Sequence, residues 1–136
     1  MQDAGNFYIN GKWVAPIDGR DFPVIDPSTE EPFATISLGG QADTDAAVAA
    51  AKAAFTGWRK STKAERLDLL ESILEVYLRR SDELAGIISR EMGAPIDMAK
   101  TQQSGTGSTH IKAFIHALRD FEFEHDLRPN APDTQI

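Results

Sequence analysis

Tyr8-Ile9-Asn10-Gly11-Lys12-Trp13-Val14 encodes a β-hairpin near the start of the chain. β-prone residues flank Asn10-Gly11, the dipeptide that best accepts positive φ at both centres of a two-residue turn. Outward from this hairpin, Phe22 to Ile25 and Phe33 to Ile36 are two further short strand candidates. Between them Asp26-Pro27-Ser28-Thr29 supplies turn chemistry. Gly39-Gly40 ends this region, so residues 1–40 are expected to form N-terminal strands and turns.

The apolar period then changes to that of a helix. Asp43 to about Arg59 is Ala-rich, with Val48, Ala51 and Phe55 on one face. Asp43 and Asp45 lie near the positive end of its dipole, and Gly57 marks its fraying end. Phe55 and Trp58 are expected to anchor this helix in the core. Thr62-Lys63-Ala64-Glu65 is a capping box. The helix it opens puts Leu67, Leu70, Ile73, Leu74 and Tyr77 on one stripe, with Glu75 and Arg79 as a favourable i,i+4 pair. Ser81-Asp82-Glu83 reads as a fresh N-terminus, so a break is expected before it. Leu84, Ile87 and Ile88 carry an apolar face to Met92, where Gly93-Ala94-Pro95 stops the helix and Pro opens the next. The last helix is expected from Pro95 to about Phe121. Gly105 and Gly107 inside it cost about 1 kcal/mol each, which makes residues 101–109 its weakest stretch. Residues 41–121 thus form a helical unit. Beyond it, Phe121 to Glu124 alternates like a strand with Phe121 and Phe123 inward and Glu122, Glu124 and Asp126 solvated. Residues 122–136 read as an extended, polar tail.

Composition excludes several functions. With 136 residues the chain is one domain or a part of one. Its net charge of −7, from 21 acidic and 14 basic residues, argues against nucleic acid and against an anionic membrane surface. There is no cysteine, which removes disulfides, thiolate metal sites and a thiol nucleophile from these residues. The start lacks a basic region followed by an apolar run, and Ala46 to Ala51 is far too short to span a membrane. A cytoplasmic location is expected.

Local motifs name no reaction. Ser104-Gly105-Thr106-Gly107-Ser108-Thr109-His110 begins like a dinucleotide fingerprint, but His110 stands at the third glycine and no strand precedes it. Phosphate binding needs free N–H groups at a helix start, so this segment reads instead as a helix face where another element packs closely. His110, His116 and His125 share no metal-ligand spacing. Ser61, Ser81, Ser89 and Ser104 form no nucleophile elbow.

Taken in order, the segments resemble the opening of the NAD(P)-dependent aldehyde dehydrogenase family. Tyr8 to Val14 matches its first hairpin. Ile25-Asp26-Pro27-Ser28-Thr29-Glu30 is similar to its N-P-[AS]-T-G-E turn, with Asp26 for Asn and Glu31 where glycine is usual. Ala47 to Ala51 with Phe55 and Trp58 resembles its first helix, and Ala64-Glu65-Arg66 with Leu69-Leu70 its second. Asp82-Glu83-Leu84-Ala85 and Glu91-Met92-Gly93-Ala94-Pro95 are similar to the next helix and its E-x-G-K-P end, with Ala94 in place of Lys.

The resemblance implies an α/β fold, aldehyde dehydrogenase-like. This chain would supply the mostly helical N-terminal part of an incomplete NAD(P)-binding domain, and its tail would run toward a missing bridging, oligomerising sheet. It also implies oxidation of a small-molecule aldehyde to a carboxylic acid with NAD or NADP, by a cysteine thiolate, hydride transfer and a glutamate-activated water. The family's catalytic and cofactor-binding motifs all fall beyond Ile136, so no catalytic or cofactor-binding residue carries over. This chain alone is expected to be inactive and to hold no cofactor, while the complete enzyme would be a homo-oligomer. One metal site carries over, a structural monovalent cation held by backbone oxygens of Val24 and Ile25 and the carboxylate of Glu91. The alternative to a cut or truncated enzyme is a non-enzymatic helical binding module, or remnant, that pairs with a full-length subunit. The stripes have no sheet to pack on here, so exposed apolar surface is expected.

Overall fold

A computed structural model describes residues 4–124. Strand β1 (Phe7–Ile9) pairs antiparallel with β2 (Lys12–Val14), Tyr8 opposite Trp13. Asn10 and Gly11 both take positive φ, 54° and 75°, as the two-residue turn requires. The Tyr8 and Trp13 rings meet edge to face, 5.3 Å apart.

Strand β3 (Arg20–Asp26) pairs antiparallel with β4 (Glu31–Leu38), so both strands are longer than their apolar cores suggested. The register is Val24 opposite Ala34 but Ile25 opposite Pro32, and the irregularity falls where proline has no N–H to offer the ladder. In the intervening turn, the Asp26 carboxylate accepts from the Ser28 N–H (2.9 Å) and hydroxyl (2.5 Å). The Asp26 carbonyl accepts from Glu30 N–H at 2.8 Å. Glu30 has φ of 61°, so the position that wants glycine is Glu30, not Glu31.

Helix α1 (Gln41–Trp58) follows Gly40 directly and includes Gly57 within its last turn. Helix α2 (Lys63–Arg79) carries the expected capping box: Glu65 N–H donates to Thr62 Oγ1 at 3.1 Å, and Thr62 N–H donates to the Glu65 carboxylate at 2.7 Å. The chain breaks at Arg80 and restarts as α3 (Ser81–Met92), which Gly93 ends with φ of 71°.

The last helix differs from expectation. Pro95 precedes a short α4 (Ile96–Met98), residues Ala99–Ser104 are π-helical, and only then does α5 (Gly105–Asp120) run regularly. The distortion ends where the glycines begin, and hydroxyl side chains run through and beyond it. Thr101, Thr106 and Thr109 each return the side-chain hydroxyl to the carbonyl four residues back. Phe121 to Glu124 forms no strand, and Phe121 and Phe123 are exposed, their rings edge to face at 5.0 Å. Asp126, His125 and the tail lie outside the described residues.

Helices α2, α3 and α5 and the π-helical stretch make the packed centre. Its closest approaches use small residues: Ala85, Ala99 and Ser104 are at most 1% exposed, and Ile115 is 6% exposed. Tyr77 lies across Gly107, where an added Cβ would stand 2.2 Å from the phenolic oxygen, and it donates to the Ser104 carbonyl at 2.8 Å. The apolar stripe of α2 is divided. Leu70, Leu74 and Tyr77 are partly buried, while Ile73 and Val76 face outward.

Helix α1 stands apart. Its inner turn is held by Asp43, but Val48, Phe55 and Trp58 are exposed, so Phe55 and Trp58 do not anchor it. No other element described here covers that face. Among the described residues no helix is long and apolar enough to cross a membrane.

Candidate functional site

Two corners of the molecule gather polar chemistry around backbone. In the first, Asp43 at the third position of α1 accepts from Ile17 N–H (2.8 Å) and Gly40 N–H (2.9 Å). These bonds, with a further one from the Asp18 backbone, hold its carboxyl below the ordinary value of 3.8. The carboxylate therefore ties the loop after β2 to the start of α1, which explains why it is buried.

In the second corner the end of β3 meets the end of α3. Arg90 lies 3.7 Å from the Asp26 carboxylate and over the Phe33 ring, 4.3 Å from its centre. A Cβ on Gly93 would come within 2.9 Å of Pro27, so the helix end and the turn are in contact. The Ser28 side chain and backbone bonds, then Arg90, hold the Asp26 carboxyl below its ordinary value.

The residues expected to hold a cation are sequence neighbours of this corner, and no hydrogen bond or ion pair joins Glu91 to Val24 or Ile25 among the described residues. Val24 is half-buried on β3, Ile25 beside it is more exposed, and Glu91 is exposed near the end of α3. Contact between the two segments is shown by Asp26, Pro27, Arg90 and Gly93; the sequence reading took Asp26, Pro27 and Gly93 only as turn and helix-stop residues and passed over Arg90. The signal for Arg90 was thin, a lone basic residue in a last turn. Among the described residues no three His, Cys, Asp or Glu side chains cluster for a metal.

The Gly-rich segment does not form a phosphate loop. It lies inside a continuous helical run, so its N–H groups are engaged, and Gly107 is there because Tyr77 needs the space. His110 and His116 share no site. On α5, however, Lys112, His116 and Arg119 follow at spacings of four and three, and with Glu71, Leu74 and Ile115 they line a groove of about 390 Å³. That spacing was legible, but the histidines had been weighed only as metal ligands. A second groove of about 500 Å³ between α2 and α3 is apolar, floored by Ile73, Val76, Leu84 and Ile87 and rimmed by the Arg80–Glu83 ion pair (2.8 Å).

Comparison with known proteins fits this architecture. The model of the "Aldehyde dehydrogenase family" matches residues 13–134. A 3-succinoylsemialdehyde-pyridine dehydrogenase from a Pseudomonas species is 41% identical over 128 residues, 93% of this chain and 27% of that protein. An aldehyde dehydrogenase structure from Bartonella henselae superposes with a TM-score of 0.90 at 50% identity, covering 93% of this chain and 27% of its own. A variant of aldehyde dehydrogenase C from Pseudomonas syringae, complexed with NAD+ and octanal, superposes with a TM-score of 0.87 at 39% identity, covering 89% of this chain and 25% of its own. The chain spans about a quarter of the length of the relatives it matches, and its helices and short strands are the corresponding part of their fold. The chain belongs to the aldehyde dehydrogenase family.

Proposed function

We propose that this chain is the amino-terminal building block of an NAD(P)-dependent aldehyde dehydrogenase and has no dehydrogenase activity by itself. The observation that carries this reading is coverage. Over nine-tenths of the chain is matched by a structure of which it spans only 27%, and the matched part contains no cysteine thiol to act as nucleophile. The exposed faces of α1 and of the α2–α3 groove support it, since a self-sufficient domain rarely leaves Phe55, Trp58, Ile73 and Val76 in water.

In this reading residues 1–40 supply edge strands and turns, 41–121 the first helices of the NAD(P)-binding domain, and 122–136 a connector toward the rest. The complete enzyme oxidises a small aldehyde and assembles as an oligomer. The test is spectrophotometric: the purified chain with aldehyde and NAD+ or NADP+ is expected to give no reduced nicotinamide. Co-expression with the remaining three-quarters of a relative is expected to restore turnover. Turnover by the chain alone would overturn the proposal, and tight co-purification with a full-length dehydrogenase without restored turnover would favour a binding module instead.

The monovalent cation belongs to the same proposal. Val24 and Ile25 flank the irregularity of the β3–β4 ladder, where Pro32 has no N–H to donate, and a carbonyl oxygen there would be offered to a hard cation. Glu91 would add the carboxylate. The Arg90 guanidinium occupies the same corner and opposes a second positive charge, which favours a weakly held monovalent ion over a divalent one. Replacing sodium or potassium by choline at constant ionic strength is expected to lower the melting temperature of the native chain but not of Glu91→Gln.

A further inference from the structure

Lys112, His116 and Arg119 share one face of α5 and converge on a groove to which the proposed function assigns no role. Lys112, His116 and Arg119 line it, Leu74 and the nearly buried Ile115 form its floor, and Glu71 closes one wall. The volume, about 390 Å³, falls in the range of small-ligand sites, roughly 300–1,000 Å³. Glu71 accepts from Arg119 Nη2 at 2.7 Å and so fixes the guanidinium at the groove wall. That pair is internally neutralised. Among the described residues Lys112 and His116 carry no hydrogen bond or ion pair, so the remaining charge of the groove is positive. This stands out on a chain whose net charge is −7.

We propose that this groove binds a small carboxylate bearing a short apolar chain. The carboxylate would be met by the Lys112 ammonium and a ring N–H of His116, with the outer N–H groups of Arg119 alongside. The apolar chain would lie on Leu74 and Ile115. An inorganic oxyanion satisfies the first half of this chemistry but gains nothing from the floor, which is why the carboxylate is preferred to phosphate.

The experiment uses the full chain and follows the ring C–H signals of its three histidines by NMR at pH 6, with sodium chloride holding ionic strength constant. His116→Gln assigns the reporting signal. Butyrate is expected to move the His116 signal saturably and to leave His110 and His125 in place. Acetate and inorganic phosphate should need at least several-fold more ligand for the same effect. Lys112→Gln should weaken butyrate at least several-fold, and Glu71→Gln, which frees Arg119, should strengthen it. A non-saturating response, an equal response of all three histidines, phosphate binding as tightly as butyrate, or an unchanged Lys112→Gln variant would each overturn the proposal.

Discussion

At the scale of single residues, Asp43 shows how much one carboxylate organises. It accepts from the backbone N–H groups of Ile17 and Gly40 and lies at the positive end of α1, so its charged form is favoured in the folded state. A native value lowered from 3.8 means that its contribution is complete above the unfolded value and is lost as pH falls through the native one. Asp26, Glu65 and Glu83 are lowered in the same direction, by Ser28, Thr62 and Arg80 respectively. Thermal stability is therefore expected to hold level above about pH 5 and to drop in more acidic buffer, and Asp43→Asn should flatten part of that drop while lowering the melting temperature at neutral pH. A variant whose acid profile matches the parent would show that Asp43 is not the tie. Glu30 offers the opposite case. Its φ of 61° costs a residue with a Cβ on the order of 1 kcal/mol, so Glu30→Gly is expected to stabilise the chain by about that amount in urea titration.

At the scale of elements, glycines separate packing from propensity. Gly57 and Gly107 both sit in helices, where glycine costs about 1 kcal/mol against alanine. Nothing lies within 4 Å of a Cβ on Gly57, so Gly57→Ala should raise stability by about 0.5–1 kcal/mol. A Cβ on Gly107 would collide with Tyr77, so Gly107→Ala should lower it by about 1–3 kcal/mol despite the better propensity. Ser104→Ala, losing the bond from the hydroxyl to the Ser81 carbonyl (3.2 Å) in a fully buried place, should cost about 1 kcal/mol. Paired denaturation curves decide all three. The α5 end shows a further device: Lys63 Nζ donates to the Arg119 and Phe121 carbonyls at 2.7 and 3.2 Å, capping a helix that no glycine ends.

At the scale of the molecule, the unfinished packing dominates. Only Ala85, Ala99 and Ile115 are buried apolar residues among those described, whereas apolar faces of α1 and α2 are open. The isolated chain is expected to bind a hydrophobic dye and to associate as concentration rises, and docking onto the rest of a dehydrogenase should suppress both. Dye fluorescence and sedimentation, measured with and without that partner, check this. A sharp monomeric melt with no dye binding would contradict it.

The hairpin turn, the capping box of α2, the break before Ser81 and the stop at Gly93 were all legible in the sequence. Each depends on residues within a few positions of one another, where backbone sterics and local hydrogen bonds leave little choice. Family order was legible for the same reason, as a series of such local signatures. What the sequence could not convey was set by contacts across 26 residues or more: Asp43 reaching Ile17, Tyr77 filling the notch at Gly107, Arg90 lying on Phe33 and Arg119 of α5 reaching Glu71. The expectations for Phe55, Trp58, Phe121 and Phe123 failed on the same ground. An apolar periodicity specifies that a face seeks cover, and only the tertiary structure decides whether this polypeptide holds anything to cover it with.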